Sequence, residues 1–353
     1  MLADKKKTFA RFAAAAAISL MWSAAQAQPK TVAEIAQYKG ADRKAIFEEG
    51  AKKEGRILIY STGTQAEPVY KAFGEKYPFI KVESLRQDSS LITRRLLEEY
   101  NAGTFNADAL QLNTAGLHPL LEAGVLQPYY SPEVAAFNPA VVEKNNHWVI
   151  DYESYLSLGY NTKLVSEADA PKTLDDLLDP KWKGKMALPG TTTLANWLGA
   201  VLKEKDEAWV RKLGQQNIRI YEVSARAVAN LVISGEIPLS PAIYNSHVAA
   251  SQMESNAPIA WRALAGVYPT NDGAVITSRA PHPFASMLFI DFVLSQDGQK
   301  ILQRLGYTSA RKDLPGVERP SKIYYLPDEP NYLQNYEKWI ALGRQVFGTG
   351  KAP

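Results

Sequence analysis

The chain has 353 residues, 46% of them apolar and 22% charged, with 40 Lys+Arg against 37 Asp+Glu and no cysteine. The missing cysteine excludes disulfides, thiolate metal sites, a cysteine nucleophile and a lipidated amino-terminal cysteine. The slight basic excess lies in the first residues, so it is no sign of nucleic-acid binding.

Lys5, Lys6, Lys7 and Arg11 open the chain, an apolar run follows over residues 12–22, and Ala25-Gln26-Ala27 supplies a small-x-small cleavage pattern. The run is shorter than the roughly 20 apolar residues that a spanning helix needs. Residues 1–27 are therefore expected to be a signal peptide, cleaved after Ala27, and the protein to work in the periplasm. The leader holds four of the 40 basic and one of the 37 acidic residues, so 326 residues with 36 of each remain. That length is large for one hydrophobic core and suits two lobes.

Residues 28–40 read as a loosely structured lead-in. A helix is expected over 42–54, where Ile46, Phe47 and Ala51 share a face and Gly55 stops it. Residues 57–60 form a continuous apolar run, the mark of a strand buried on both faces. A polar turn (61–64), a helix (67–77) closed by Pro78, an alternating strand (80–85), a helix (about 89–100) and a strand (109–112) complete a β-α-β-α-β opening. Further on, strands are expected at 155–160, 186–188, 238–244 and 274–277. Helices are expected at 174–178, 191–203, 225–233, 283–294 and 296–305. The tail turns helical over 332–346 and is expected to pack across a lobe. The fold class is α/β.

Ligands of open α/β sheets bind beyond the carboxyl ends of the strands. Those ends here carry Ser61, Thr62 and Thr64; Arg86; Thr191, Thr192 and Thr193 at a helix start; and Tyr244 and Asn245, followed by Ser246 and His247. Hydroxyls, amide donors, a helix amino terminus and one or two guanidiniums suit a carboxylate or phosphate. Each has a plainer role open to it. Ser61, Thr64 and Thr191 can cap helices, Arg86 can be an exposed strand-end residue, and Arg226, after Ser224, can form a surface ion pair. No G-x-S-x-G, S-x-x-K, H-E-x-x-H or G-x-x-x-x-G-K motif is present. His118 and His282 each precede proline, as in turns.

Four stretches share one further feature. Ala72-Phe73-Gly74-Glu75-Lys76-Tyr77-Pro78, residues 174–185 with Asp179-Pro180-Lys181-Trp182, Ser234-Gly235-Glu236-Ile237-Pro238-Leu239, and residues 280–299 with Asp291-Phe292-Val293-Leu294-Ser295 follow one another in an order that resembles class II periplasmic solute-binding proteins. The branch concerned serves ABC importers for ferric iron, polyamines, thiamine, sugar phosphates and phosphonates. The resemblance implies two α/β lobes joined by two crossing hinge strands, near residues 152–160 and 273–277, with the ligand between them. Lobe one would comprise 28–153 and 275–312, lobe two 154–274, with 313–353 a packed tail. It implies a monomer that hands a small-molecule ligand to an inner-membrane ABC permease, with no catalysis, cofactor or nucleic acid.

The resemblance also places a ligand-binding tyrosine at Tyr244. Iron-binding members use a second, adjacent tyrosine, a carboxylate and often a histidine, because ferric iron prefers hard anionic oxygens. Here Asn245 stands at the second position, Asn113 where a glutamate is expected, and residues 61–65 hold no histidine. Tyr129-Tyr130 and Tyr324-Tyr325 fall elsewhere. The expectation is thus an organic anion and no metal, with ferric iron as the alternative and an exported hydrolase as the second alternative.

Overall fold

In the computed structural model the described residues are 31–63, 67–87, 89–314, 320–324 and 331–350. The leader, its cleavage site, Thr64 and Tyr325 lie outside them. Among the described residues no helix is long and apolar enough to cross a membrane.

The first strands are β1 (Arg56–Ser61), β2 (Lys81–Arg86), β3 (Ala109–Asn113) and β4 (Leu126–Gln127). The long β5 (Val149–Asn161) follows, then β6 (Ala187–Pro189), β7 (Arg219–Tyr221), β8 (Leu239–Tyr244), β9 (Ile259–Arg262), β10 (Tyr268–Thr277) and the terminal β11 (Thr349–Gly350). The main sheet runs β2-β1-β3-β10-β5-β8, with β4 on β10 and β9 on β5, and β11-β7-β6 form a second sheet. β1 is parallel to β2 and β3, whereas β10 and β5 pair antiparallel with each other and carry the sheet from one part of the molecule to the other.

The two largest of four hydrophobic clusters among the described residues flank that crossing. One draws on Ile57, Leu110, Phe73 and Phe289 among residues 35–152 and 274–310. The other draws on Leu158, Trp197, Leu213 and Ile220 among residues 156–264, with Phe347 added. The apolar runs explain the pattern, since β5 is buried along its whole length and β1 at four of its six residues. Gly55, at φ 68°, ends the helix Arg43–Glu54 in the left-handed turn that glycine adopts without a Cβ penalty.

Several expectations change. The lead-in contains the helix Val32–Ala36, fixed by a capping box between Thr31 and Glu34. The pre-proline His118 lies inside the helix Thr114–Glu122, which accommodates Pro119 at the loss of one backbone bond, rather than in a turn. Both crossing strands are longer than their apolar segments, because polar residues at their outer ends are paired and buried. The segment 174–178 is a 3-10 turn over Asp175–Leu178. The helix Tyr332–Phe347 packs on the helix Thr192–Val201, so closely that a Cβ on Gly343 would lie 2.8 Å from Leu194 and 2.9 Å from Leu198.

Candidate functional site

A cleft of about 180 Å³ opens where the crossing strands meet the ends of β1, β3 and β8. β5 supplies Tyr152 and Ser154, and β10 supplies Thr270 and Asp272, the latter opposite Tyr152 beside a β-bulge. Thr62 and Gly63 follow β1, and Asn113 ends β3. Tyr244 ends β8, with Ser246 and His247 in the first turn of the helix Asn245–Ser255. Tyr307 enters after Gly306, whose φ of 87° and whose approach to Ala249 (2.6 Å from an added Cβ) leave no room for a side chain.

Asp272 is the electrostatic centre. It is 2% exposed, and its Oδ2 accepts from the Thr62 hydroxyl at 2.7 Å and from Tyr152 at 2.5 Å. Burial pushes its pKa up to about 6, against the pull of those two hydrogen bonds. Behind it Asp151 is fully buried, accepts from Gln111 at 2.5 Å and is held well above the usual carboxylate range by burial and by the Asp272 charge. Burial raises Tyr152 far above an ordinary phenol, with Asp272 adding to the effect. Tyr244 is raised as well, by burial opposed by hydrogen bonds with Thr270 and Thr193. His247 stands edge-on to the Tyr244 ring at 5.4 Å, and burial beside Arg226 lowers it to about 4, so its imidazole is neutral at pH 7.

The residues singled out in the sequence divide into three groups. Thr62, Asn113 and Tyr244 line the cleft. Asn113 Oδ1 also caps the helix Thr114–Glu122 through Gly116 N at 3.0 Å and accepts from Ser89 at 3.0 Å. Thr191 is the N-cap of the helix Thr192–Val201, Thr192 is exposed, and Thr193 is buried against Tyr244, so this helix start lies beside the cleft. The rest have other neighbours. Ser61 is buried and accepts from Gly63 N at 3.0 Å. Arg86 is exposed at the end of the edge strand, in register with Ser61. Arg226 donates to the His247 carbonyl at 3.1 Å and lies 3.6 Å from Glu254. Asn245 turns inward, its Oδ1 accepting from Tyr155 N at 2.7 Å and Ser154 Oγ at 3.0 Å.

Sequence reasoning passed over Tyr152, Ser154, Thr270, Asp272 and Tyr307. The signal for Tyr152 and Asp272 is their place just outside the apolar segments of the two crossings, where an acid and a phenol interrupt buried strands. Nothing short of the fold marks Tyr307. Among the described residues the cleft lining holds three phenols and one carboxylate, and no lysine or arginine. No group of three or more His, Cys, Asp or Glu side chains that could hold a metal ion occurs among the described residues.

Residues 69–322 match the model of a family described as bacterial extracellular solute-binding protein. The Fe(3+)-binding periplasmic protein of Serratia marcescens is 23% identical over 275 residues, 73% of this chain and 79% of its own length. Iron-bound HitA from Pseudomonas aeruginosa is structurally similar, with a TM-score of 0.66, 24% identity, and coverage of 82% of this chain and 99% of its own. So is AfuA from Actinobacillus pleuropneumoniae with fructose-6-phosphate bound (TM-score 0.60, 21% identity, coverage 83% and 97%). At these identities the structures establish the fold, that of two-lobed periplasmic binding proteins, and their ligands differ from one another.

Proposed function

From the premise that the chain belongs to the bacterial extracellular solute-binding proteins, we propose that its cleft captures a small organic anion and delivers it to an inner-membrane ABC permease. The anion is a carboxylate, phosphate ester or phosphonate. The observation that carries this reading is the helix start at Thr191–Thr193, which lies beside the cleft because the buried Thr193 neighbours the Tyr244 side chain. Free backbone N–H groups and the positive end of the helix dipole favour negative charge there. Arg86, exposed at the end of the edge strand β2, is proposed as a counter-charge when the lobes close.

Residues 28–153 and 275–312 act as one lobe and 154–274 as the other, with 313–353 a tail packed on the second. The two largest hydrophobic clusters, one on each side of the crossing, support that division. A ligand touching Thr62 on one side and Tyr244 on the other favours the closed form by its extra contacts there, and a permease reads the closure. The leader implies export before cleavage at Ala27, and sequencing of periplasmic material should begin at Gln28.

Native mass spectrometry of protein purified from the periplasm weighs whatever it carries. A bound mass with an acid group supports the reading, and a solute without one sinks it. Ferric iron is a second reading, favoured by Tyr152, Tyr244, Tyr307 and Asp272 as hard oxygen donors on one cleft. Titration with ferric citrate separates the two, since a tyrosinate–iron absorption band lost in Tyr244→Phe belongs to iron alone.

A further inference from the structure

Asp272 is 2% exposed and lines the cleft. Both hydrogen bonds it receives, from Thr62 and Tyr152, land on Oδ2, and Oδ1 takes none from the described residues. Neither the cleft lining nor the pairs around Asp272 include a lysine or arginine among the described residues. Oδ1 thus belongs to an almost wholly buried carboxylate that lines the cleft, and a charged donor is what satisfies such an oxygen most fully. Beside it the rings of Tyr152 and Tyr307 lie with centroids 4.1 Å apart, and both line the same cleft. Ring faces next to a carboxylate attract an alkylammonium through its charge as well as its apolar surface.

We infer that the ligand carries a protonated amine in addition to its acid group, and that Asp272 with Tyr152 and Tyr307 is the subsite for that amine. The inference rests on the anion reading above and adds a second pole to it, so the solute class is a small zwitterion. The size of the cleft agrees. Its volume of about 180 Å³ leaves room for a short chain with two charged ends.

The test uses three probes of one length on the full chain, 3-aminopropanoate, propanoate and propylammonium, by calorimetry at pH 7.5 and millimolar concentration. The wild type should bind 3-aminopropanoate more tightly than propanoate by roughly ten- to a hundredfold, the worth of one charge-assisted hydrogen bond. Asp272→Asn, which keeps an acceptor for Thr62 and Tyr152, should bind those two probes alike. Equal binding of the two by the wild type, a preference that survives in Asp272→Asn, or no binding of any probe overturns the amine subsite. If propylammonium binds as tightly as 3-aminopropanoate and loses affinity in the variant, the amine subsite stands and the anion reading fails.

Discussion

Replacing Asp272 by asparagine should stabilise the protein at neutral pH. The carboxyl titrates at about 6 in the folded chain against an ordinary 3.8, so between those values the folded state holds more protons than the unfolded one. Stability therefore falls as pH rises through that window, and above about 6 the folded state bears the full cost of an ionised, buried carboxylate. At 1.36 kcal/mol per pH unit the cost is about 3 kcal/mol. Asparagine keeps an oxygen for Thr62 and Tyr152 and carries no charge beside Asp151. The expected result at pH 7.5 is a midpoint higher by roughly 4 °C for a chain of this size, with the gain disappearing towards pH 4. Thermal unfolding followed by circular dichroism at pH 4, 5, 6 and 7.5 measures it. A variant that is less stable at pH 7.5, or whose gain does not depend on pH, refutes the account of Asp272 as a buried charge without a counter-ion.

Asn245→Ala removes the acceptor of Tyr155 N–H and of Ser154 Oγ and should cost about 2 kcal/mol in denaturant unfolding, whatever the ligand. Gly343→Ala forces a Cβ against Leu194 and Leu198 and should cost about 1–3 kcal/mol, with faster proteolysis of the terminal helix as a second sign. Arg43→Ala strands Asp291, with which Arg43 forms a two-pronged pair, and should cost about 3 kcal/mol or more. Once the ligand is known, Arg86→Ala should weaken binding in a salt-sensitive way. Tyr244→Phe should weaken it without that sensitivity, and two variants that both bind like the parent would remove these residues from the site.

Much of the frame was readable because it rests on local rules. The apolar run at 57–60, the stop at Gly55 and the helix start at Ser89 each announce an element within a residue or two of where it lies. The helix Asn245–Ser255 was not readable, since polar residues such as Ser251 and Asn245 occupy its buried side. They are buried because they bond across to β5 and to backbone carbonyls, which composition cannot announce. The same holds at the cleft. Thr62, Asn113 and Tyr244 follow from the rule that ligands sit beyond strand ends, whereas Asp272 and Tyr152 depend on a pairing between strands 120 residues apart. Arg86 and Arg226 stand out in the sequence because a guanidinium is conspicuous, but their surroundings do not: Arg86 is exposed at the sheet edge and Arg226 is engaged with Glu254 and a carbonyl.

Asn245 bears on the ligand through this same polar packing. Asn245, the position where the family resemblance implies a second tyrosine in iron-binding members, has its amide oxygen turned towards the crossing strand β5. A phenol oxygen stands much farther from its own backbone than an amide oxygen does, so a tyrosine there could not place its oxygen where Asn245 Oδ1 sits, 2.7 Å from Tyr155 N and 3.0 Å from Ser154 Oγ. Ser154 and Ser246, 2.5 Å apart, extend that contact to the first turn of the helix that carries His247. The crossing strand of this chain is thus packed around an asparagine, and a metal in the cleft would have to draw its oxygens from Tyr152, Tyr244, Tyr307 and Asp272. Those groups already satisfy one another in part, through the hydrogen bond between Tyr152 and Asp272, and two of the phenols would have to give up protons that burial holds tightly. An ammonium group needs no such deprotonation, because it brings its own charge to the one oxygen left open.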